Sequence, residues 1–321
     1  MKRIARARLL LASLAASTLA APLHAEKLPA VRSEQGDARV HLEIIDYTPR
    51  FLAFYERAQA VTDPAARFAL WQEHYGFAAV PPGPRGEAMA RNLLDAGWSR
   101  YGPNLASIRP GAAVFGTAPI ETLRAVARVL QPDGQLDVDF LVYVGAFDDN
   151  AFTIGGSPPT VAFPVEMSAN LRPLVMAHEL THAVHMQIAH LSGGWERSIG
   201  ATLMQEGLAM HVSREVVPGR PDAAYIEHEP GWWPRVSARK ADILRDILPV
   251  LARQDGETVF TYTMGNGPAG FQREAYAAGW WVIEHLRGQG MSLAQIARIG
   301  EAEMPAVAER AIREMLARAA S

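Results

Sequence analysis

The stretch Leu174–Met186, "LVMAHELTHAVHM", constrains this chain more than any other. His178 and His182 stand four positions apart with Glu179 directly behind the first, a spacing that puts both rings on one side only if the segment is helical. On an α-helix, residues i and i+4 lie about 40° apart, so both imidazoles can reach one point; Glu179 sits about 100° round, beside that point and not on it. Leu171, Leu174, Val175, His178, His182 and His185 follow the stripe of a buried helix face. Ser168 or Asn170 is expected to cap this helix, and Pro173 is tolerated in its first turn. Two readings follow. In one, the histidines belong to the buried stripe, which leaves two imidazoles to find partners among apolar neighbours. In the other, they bind one metal ion, each through one ring nitrogen, and Glu179 takes a proton from a water that the metal activates.

A catalytic zinc needs a third protein ligand and an open position. The metzincin extension would require Gly at 185 and His at 188; the chain has His185 and Ile188, which excludes it. The next helical run, "TLMQEGLAMHVSRE", offers Glu206, with 23 residues between it and His182. In between, "HMQIAHLSGGWERSIG" lets the first helix end, turn at Ser192-Gly193-Gly194, and start a second helix running back, which puts Glu206 about two turns in, at a depth that can face the pentad. Gly207 and Ala209 beside it leave room for a metal centre. The other reading is a surface glutamate on an amphipathic helix. Rival ligands are Glu196, close to the loop, and His211, on a different face. His185 is expected to line the cleft and His190 to end the helix, neither as a ligand.

The first 25 residues are a separate matter. Lys2, Arg3, Arg6 and Arg8 precede an apolar run from Leu9 to Leu23, and Ala25 ends the segment: the layout of a secretory signal peptide, too short to span a bilayer. The mature chain is expected to be exported, periplasmic or extracellular, with no integral membrane span. It has no cysteine, so an oxidising compartment gives it no disulfide, and a hydrophobic core must hold it together. Removing the four leader cations from 31 Lys+Arg leaves 27 against 34 Asp+Glu, a formal charge of −7. With no basic stripe, that charge argues against nucleic acid as a partner.

Along the mature chain, residues 26–40 are polar and are expected to form an irregular lead-in. Thr48 to about Arg100 and "PIETLRAVARVLQ" (119–131) show helical spacing, broken at "VPPGPRG". "LDVDFLVYVGAF" (136–147) alternates and predicts a strand, as does Thr160 to about Val165, where Pro164 suggests an edge. Beyond Ser168 helices are predicted at about 170–191, 197–215, 239–253, 269–287, 292–300 and 304–319.

The order "HELTHAVH … MQEGLAMH … YAAGWWVIEHL", over about residues 136–290, resembles the gluzincin metallopeptidases, and most of all a family of predicted bacterial zinc-dependent proteases. In that family an HExxH helix is followed by an E-G-x-A segment and a Tyr-x-x-Gly helix. The resemblance implies His178, His182 and Glu206 as ligands of one Zn2+ per chain and Glu179 as general base and acid. It also implies a later tyrosine or histidine that steadies the oxyanion. Tyr276 is the candidate, with Tyr262 and His285 behind it; a core tyrosine packed beside Trp280 is the other reading. Thermolysin-like enzymes carry an aspartate four residues after the ligand glutamate to orient a ligand histidine. Met210 stands there, so an orienting partner must come from elsewhere. Gluzincins hold an extended peptide against an edge strand, here expected at 160–165. Trp232, Trp233 and the loop 265–270 either wall that cleft or are ordinary packing and a connector.

The expectation is therefore an α+β, mainly helical chain: a signal peptide at 1–25, a mostly helical region at 26–135, and a zincin-like metallopeptidase domain at 136–321 with a small sheet before the HExxH helix. The expected substrate is a peptide or protein. Two rivals stand beside it: an inactive peptidase-like protein that binds metal or peptide in the envelope, and a zinc amidase or endopeptidase acting on cell wall. An intact Glu179 favours an enzyme, because metal binding alone does not require it.

Overall fold

The computed structural model describes residues 28–80, 83–194 and 197–320; the expected signal peptide at 1–25 and Glu196 lie outside them. The polar lead-in is not irregular. It holds strand β1 (Val31–Gly36) and the start of β2 (Val40–Asp46), paired as an antiparallel hairpin. Gly36 makes the turn at φ 126°, where a Cβ would fall 2.0 Å from the Val40 carbonyl oxygen. Asp37 Oδ1 closes it by accepting the N–H groups of Arg39 and Val40 at 2.9 and 3.2 Å. Nearly all of β1 is exposed, so it carries no apolar alternation by which a sequence reading finds strands.

Strands β3 (Leu136–Tyr143), β4 (Phe152–Ile154) and β5 (Thr160–Pro164) complete one mixed sheet in the order β1-β2-β3-β5-β4. Parallel pairing joins β2 to β3, from Val40↔Leu136 to Asp46↔Val142, and β3 to β5; β4 and β5 are antiparallel. The sheet thus takes strands from both sides of residue 135. β5 is an inner strand and β4 is the edge, which corrects the expectation drawn from Pro164. Val165 N–H donates to the Tyr143 carbonyl at 2.8 Å, so by alternation the nitrogen of Pro164 faces the other side. On that side β4 ends its pairing at Ala162, and no donor is needed.

The helices before β3 are α1 (Thr48–Ala58), α2 (Pro64–His74), α3 (Pro84–Ile108) and α4 (Ala118–Leu130). After β5 come α5 (Arg172–Ala189), α6 (Ile199–Val216), α7 (Ala223–Ile226), α8 (Trp232–Ser237) and α9 (Lys240–Ile247). Then follow α10 (Gly256–Thr263), α11 (Glu274–Gly288), α12 (Leu293–Ile296) and α13 (Met304–Ala320). With 57% helix and one five-stranded sheet, the chain is α+β. No helix among the described residues is long and apolar enough to cross a membrane. Helical spacing does not predict α10, which is short and carries β-branched residues. Asp255 caps it by accepting Thr258 N–H at 3.1 Å.

α5 begins at N-cap Leu171 with no side-chain cap, so the expected caps do not act; the Ser168 carbonyl receives the N–H groups of Leu171 and Arg172 instead. Arg172 ties this start to the end of β5, donating from Nε to the Met167 carbonyl and from Nη2 to that of Val165, both at 2.9 Å. Every residue of α6 from Ile199 to Ser213 is buried, as befits a helix surrounded by others. α6 and α11 meet at Gly207 and Gly279. A Cβ on Gly279 would lie 2.1 Å from the Leu203 carbonyl oxygen, and one on Gly207 would lie 2.4 Å from that of Gly279. Gly207 therefore serves the approach of two helices, and not room for a metal as expected.

Candidate metal centre

α5 and α6 bring three donor atoms together. His178 Nε2 and His182 Nε2 are 3.1 Å apart, one helical turn apart on α5. Glu206 Oε2, from α6, lies 3.3 Å from the first and 3.4 Å from the second. Donors placed about 2.0–2.2 Å from one ion at tetrahedral angles stand about 3.3–3.5 Å apart, so the triangle fits such an ion. Glu206 Oε2 is fully buried and receives no hydrogen bond among the described residues, yet it faces two ring nitrogens. A buried carboxylate oxygen in that position is costly unless a cation joins it. The buried His178–His182–Glu206 group can hold a metal ion.

The electrostatics point the same way. Burial pushes the Glu206 carboxyl up, but the charge of His182, the close approach of both imidazoles and the Arg197 guanidinium outweigh it and hold Glu206 well below the ordinary carboxylate range. Burial opposes charge on His182, and Glu206 overrides it, raising the imidazole. Glu179 sits outside the triangle, 5% exposed, and its carboxyl is raised, first by burial and against the pull of His178 and His182. Thr153, on the edge strand β4, places its Oγ1 2.8 Å from Glu179 Oε2 and 2.9 Å from the Glu179 carbonyl oxygen. Its single hydroxyl proton serves one acceptor at a time and holds the carboxylate against the sheet.

Arg197 orients Glu206, the ligand from α6, and so does not stand in for the histidine partner missing at Met210. Its Nη2 donates to Glu206 Oε1 at 2.9 Å, Nη1 to Gln205 Oε1 at 2.8 Å and Nε to Thr202 Oγ1 at 3.2 Å. With Oε1 fixed, Oε2 is turned to the histidines. Arg197 and Thr153 are the functional residues that sequence reasoning missed. Each meets its partner through a tertiary contact that no local pattern announces; only the place of Arg197 beside Ser198, which caps α6, hinted at an ordered position. Arg197→Gln is expected to weaken metal binding at this group by roughly 10–100-fold with the fold retained. Competition with a chromogenic chelator reads this, and an unchanged affinity would return Arg197 to a purely structural role.

Tyr276 is buried and lines the same cleft as His178, Glu179 and Glu206. Burial pushes its phenol up, as does the Glu206 charge. It makes no ring contact with Trp280, which packs instead on His211 and Trp233, with centroids 4.4 and 5.9 Å away. The lesser candidates are engaged elsewhere: Tyr262 Oη donates to the Asp246 carbonyl at 3.0 Å, and His285 Nε2 pairs with Glu314 at 2.9 Å. His211 is no ligand, since its Nε2 meets the Trp280 carbonyl and its Nδ1 meets Arg214. His185 is buried away from the cleft, where burial lowers its imidazole to about 3, so the expected lining role fails. His190, in the left-handed region at φ 49°, ends α5. Trp232 and Trp233 stack on each other, and Trp233 also on Trp281, so they are packing; the loop 265–270 is a connector folded around Glu274. The cleft is walled instead by Asn150 and Ala151 before β4, by Leu174 and Val175 of α5, and by α7.

What the fold builds, then, is a buried two-histidine, one-glutamate cluster with a further glutamate beside it, open to a cleft walled in part by the segment that leads into the edge strand β4. Compared with protein-family models, curated proteins and solved structures, the chain matches none of them.

Proposed function

We propose that this chain is an exported zinc metallopeptidase of gluzincin type, its sheet and helices forming a zincin-like catalytic domain. The observation that carries the reading is the 3.1–3.4 Å triangle of His178, His182 and Glu206 with Glu179 next to it and outside it. The leader at residues 1–25 supports export to the periplasm or beyond. When bound, zinc supplies a Lewis acid that polarises a carbonyl and acidifies a water.

The chain's own residues do the rest. Glu179, raised by burial and steadied at Oε2 by Thr153, accepts a proton from the attacking water and returns it to the leaving amine. Arg197 holds Glu206 in place. Tyr276 donates its hydroxyl to the oxygen on which negative charge develops, an interaction worth most when that charge has formed. The segment Asn150–Ala151, which runs into β4, lines the cleft and offers main-chain groups to an extended peptide lying along it.

The test is metal analysis joined to proteolysis. Purified mature protein is expected to carry about one zinc per chain and to cleave an unfolded protein such as casein, with activity lost to a chelator and restored by zinc. A chain that takes up no zinc when zinc is supplied overturns the reading. Metal uptake with no cleavage of casein or small peptides turns it toward an inactive binding protein, and release of peptides from purified cell wall alone turns it toward an amidase. Tyr276→Phe is expected to lower kcat on the order of 10²-fold while zinc affinity changes far less; unchanged turnover would return Tyr276 to the core.

A further inference from the structure

Arg273 is the only lysine or arginine among the described residues that line the cleft, and it has no carboxylate within salt-bridge distance among them. The acids that share the cleft wall are engaged otherwise. Asp149 accepts the Ser168 N–H at 2.8 Å and Glu227 the Trp233 N–H at 3.0 Å, while Glu179 and Glu206 belong to the metal centre. Glu274, next in sequence, receives the Phe271 N–H at 3.1 Å. The guanidinium carbon of Arg273 stands 3.8 Å from the centroid of the Tyr276 ring, so the side chain is fixed over the candidate oxyanion donor. Its Nε is buried with no hydrogen-bond acceptor. The backbone at Arg273 is held at φ 61°, in the left-handed region, as the N-cap of α11. A non-glycine residue in that conformation is strained by about 1 kcal/mol or more, and such strain gathers at binding sites.

A partly buried guanidinium without an anion is an expensive thing to build into a cleft, and a carboxylate is the ligand that suits its planar fork. We propose that Arg273 anchors a carboxylate of the substrate, which makes this cleft selective for peptides that present one beside the scissile bond. The inference deepens the peptidase reading and rests on it for the word substrate; the carboxylate site itself does not need hydrolysis. The carboxylate comes from the free C-terminus of a peptide or from an Asp or Glu side chain, and two peptide pairs separate these sources.

The probes are N-acetyl-Ala-Phe and its C-terminal amide, and N-acetyl-Ala-Glu-Ala-amide and its Gln counterpart. Each is titrated by calorimetry into zinc-loaded and metal-free Glu179→Gln protein, which holds peptide without turning it over. The same titrations are repeated with Arg273→Asn and Arg273→Lys added; asparagine tolerates the left-handed backbone, and lysine keeps the charge without the fork. The acid member of one pair is expected to bind about 10–100-fold more tightly than its neutral partner. That ratio should fall to about one with asparagine and return in part with lysine. The pair that shows it names the source. Equal or undetectable binding of acid and neutral peptides, or a ratio that survives Arg273→Asn, overturns the proposal. So does a preference that disappears with the zinc and not with Arg273, which places the carboxylate on the metal. Failure of the peptidase reading looks different: the unsubstituted chain cleaves nothing, while the acid preference and its dependence on Arg273 persist.

Discussion

Glu179→Gln is expected to leave zinc at about one per chain and to lower peptide hydrolysis by roughly 10²–10⁴-fold. The substitution keeps the size of the side chain and an oxygen for the Thr153 hydroxyl, so the contact to β4 survives. No atom of Glu179 belongs to the His178–His182–Glu206 triangle, so metal uptake does not depend on its charge. What the amide loses is the ability to take a proton, and only a step that needs one should suffer. Metal content by atomic emission and kcat against a fluorogenic peptide, measured on one preparation, give both halves of the result. A variant with full zinc and full turnover would remove Glu179 from the mechanism; a variant without zinc would mean that the carboxylate supports the ligands and is no bystander to binding.

The second large effect concerns stability. Gly279→Ala places a methyl group where a Cβ would sit 2.1 Å from the Leu203 carbonyl oxygen, and backbone cannot swing aside as a side chain can. α6 and α11 must separate, at a cost of about 1–3 kcal/mol or more. For a chain of this size that is a fall in Tm of roughly 2–5 °C. The same displacement moves Glu206 on one helix and Tyr276 on the other, so zinc affinity is expected to fall with Tm. Gly207→Ala, which would meet the Gly279 carbonyl at 2.4 Å, should behave alike. Calorimetry of both variants checks this, and an unshifted Tm would show that the helices are not in contact there.

Sequence spacing was enough to bring out the two helices of the candidate metal centre, because His178, His182 and Glu206 report themselves through local geometry: a four-residue step, a turn, and a helix returning. What stayed hidden was non-local. Thr153 reaches Glu179 across 26 positions, from a strand of three residues that is too short to show alternation. Arg197 stands outside the helix that it serves. Pro164 suggests an edge strand, yet it marks only the place where the neighbouring strand stops. β1 was missed because exposed strands owe their pairing to backbone hydrogen bonds, which leave no trace in side-chain polarity. The glycines at 207 and 279 were seen, but a glycine that admits another helix looks the same in sequence as one that makes space for anything else.

The parallel pairing of β2 with β3 carries a consequence for how the chain reaches this fold. Their first partners, Val40 and Leu136, are about 96 residues apart, and four helices lie between. Until β3 has been made, the inner edge of the first hairpin is an unsatisfied ladder bearing Leu42 and Ile44, the kind of edge on which chains associate wrongly. The high helical content therefore understates the search this protein must complete: joining β2 to β3 closes a long loop, a non-local step that slows folding in a way helices do not, and a chaperone would have most to protect in the interval between the two strands.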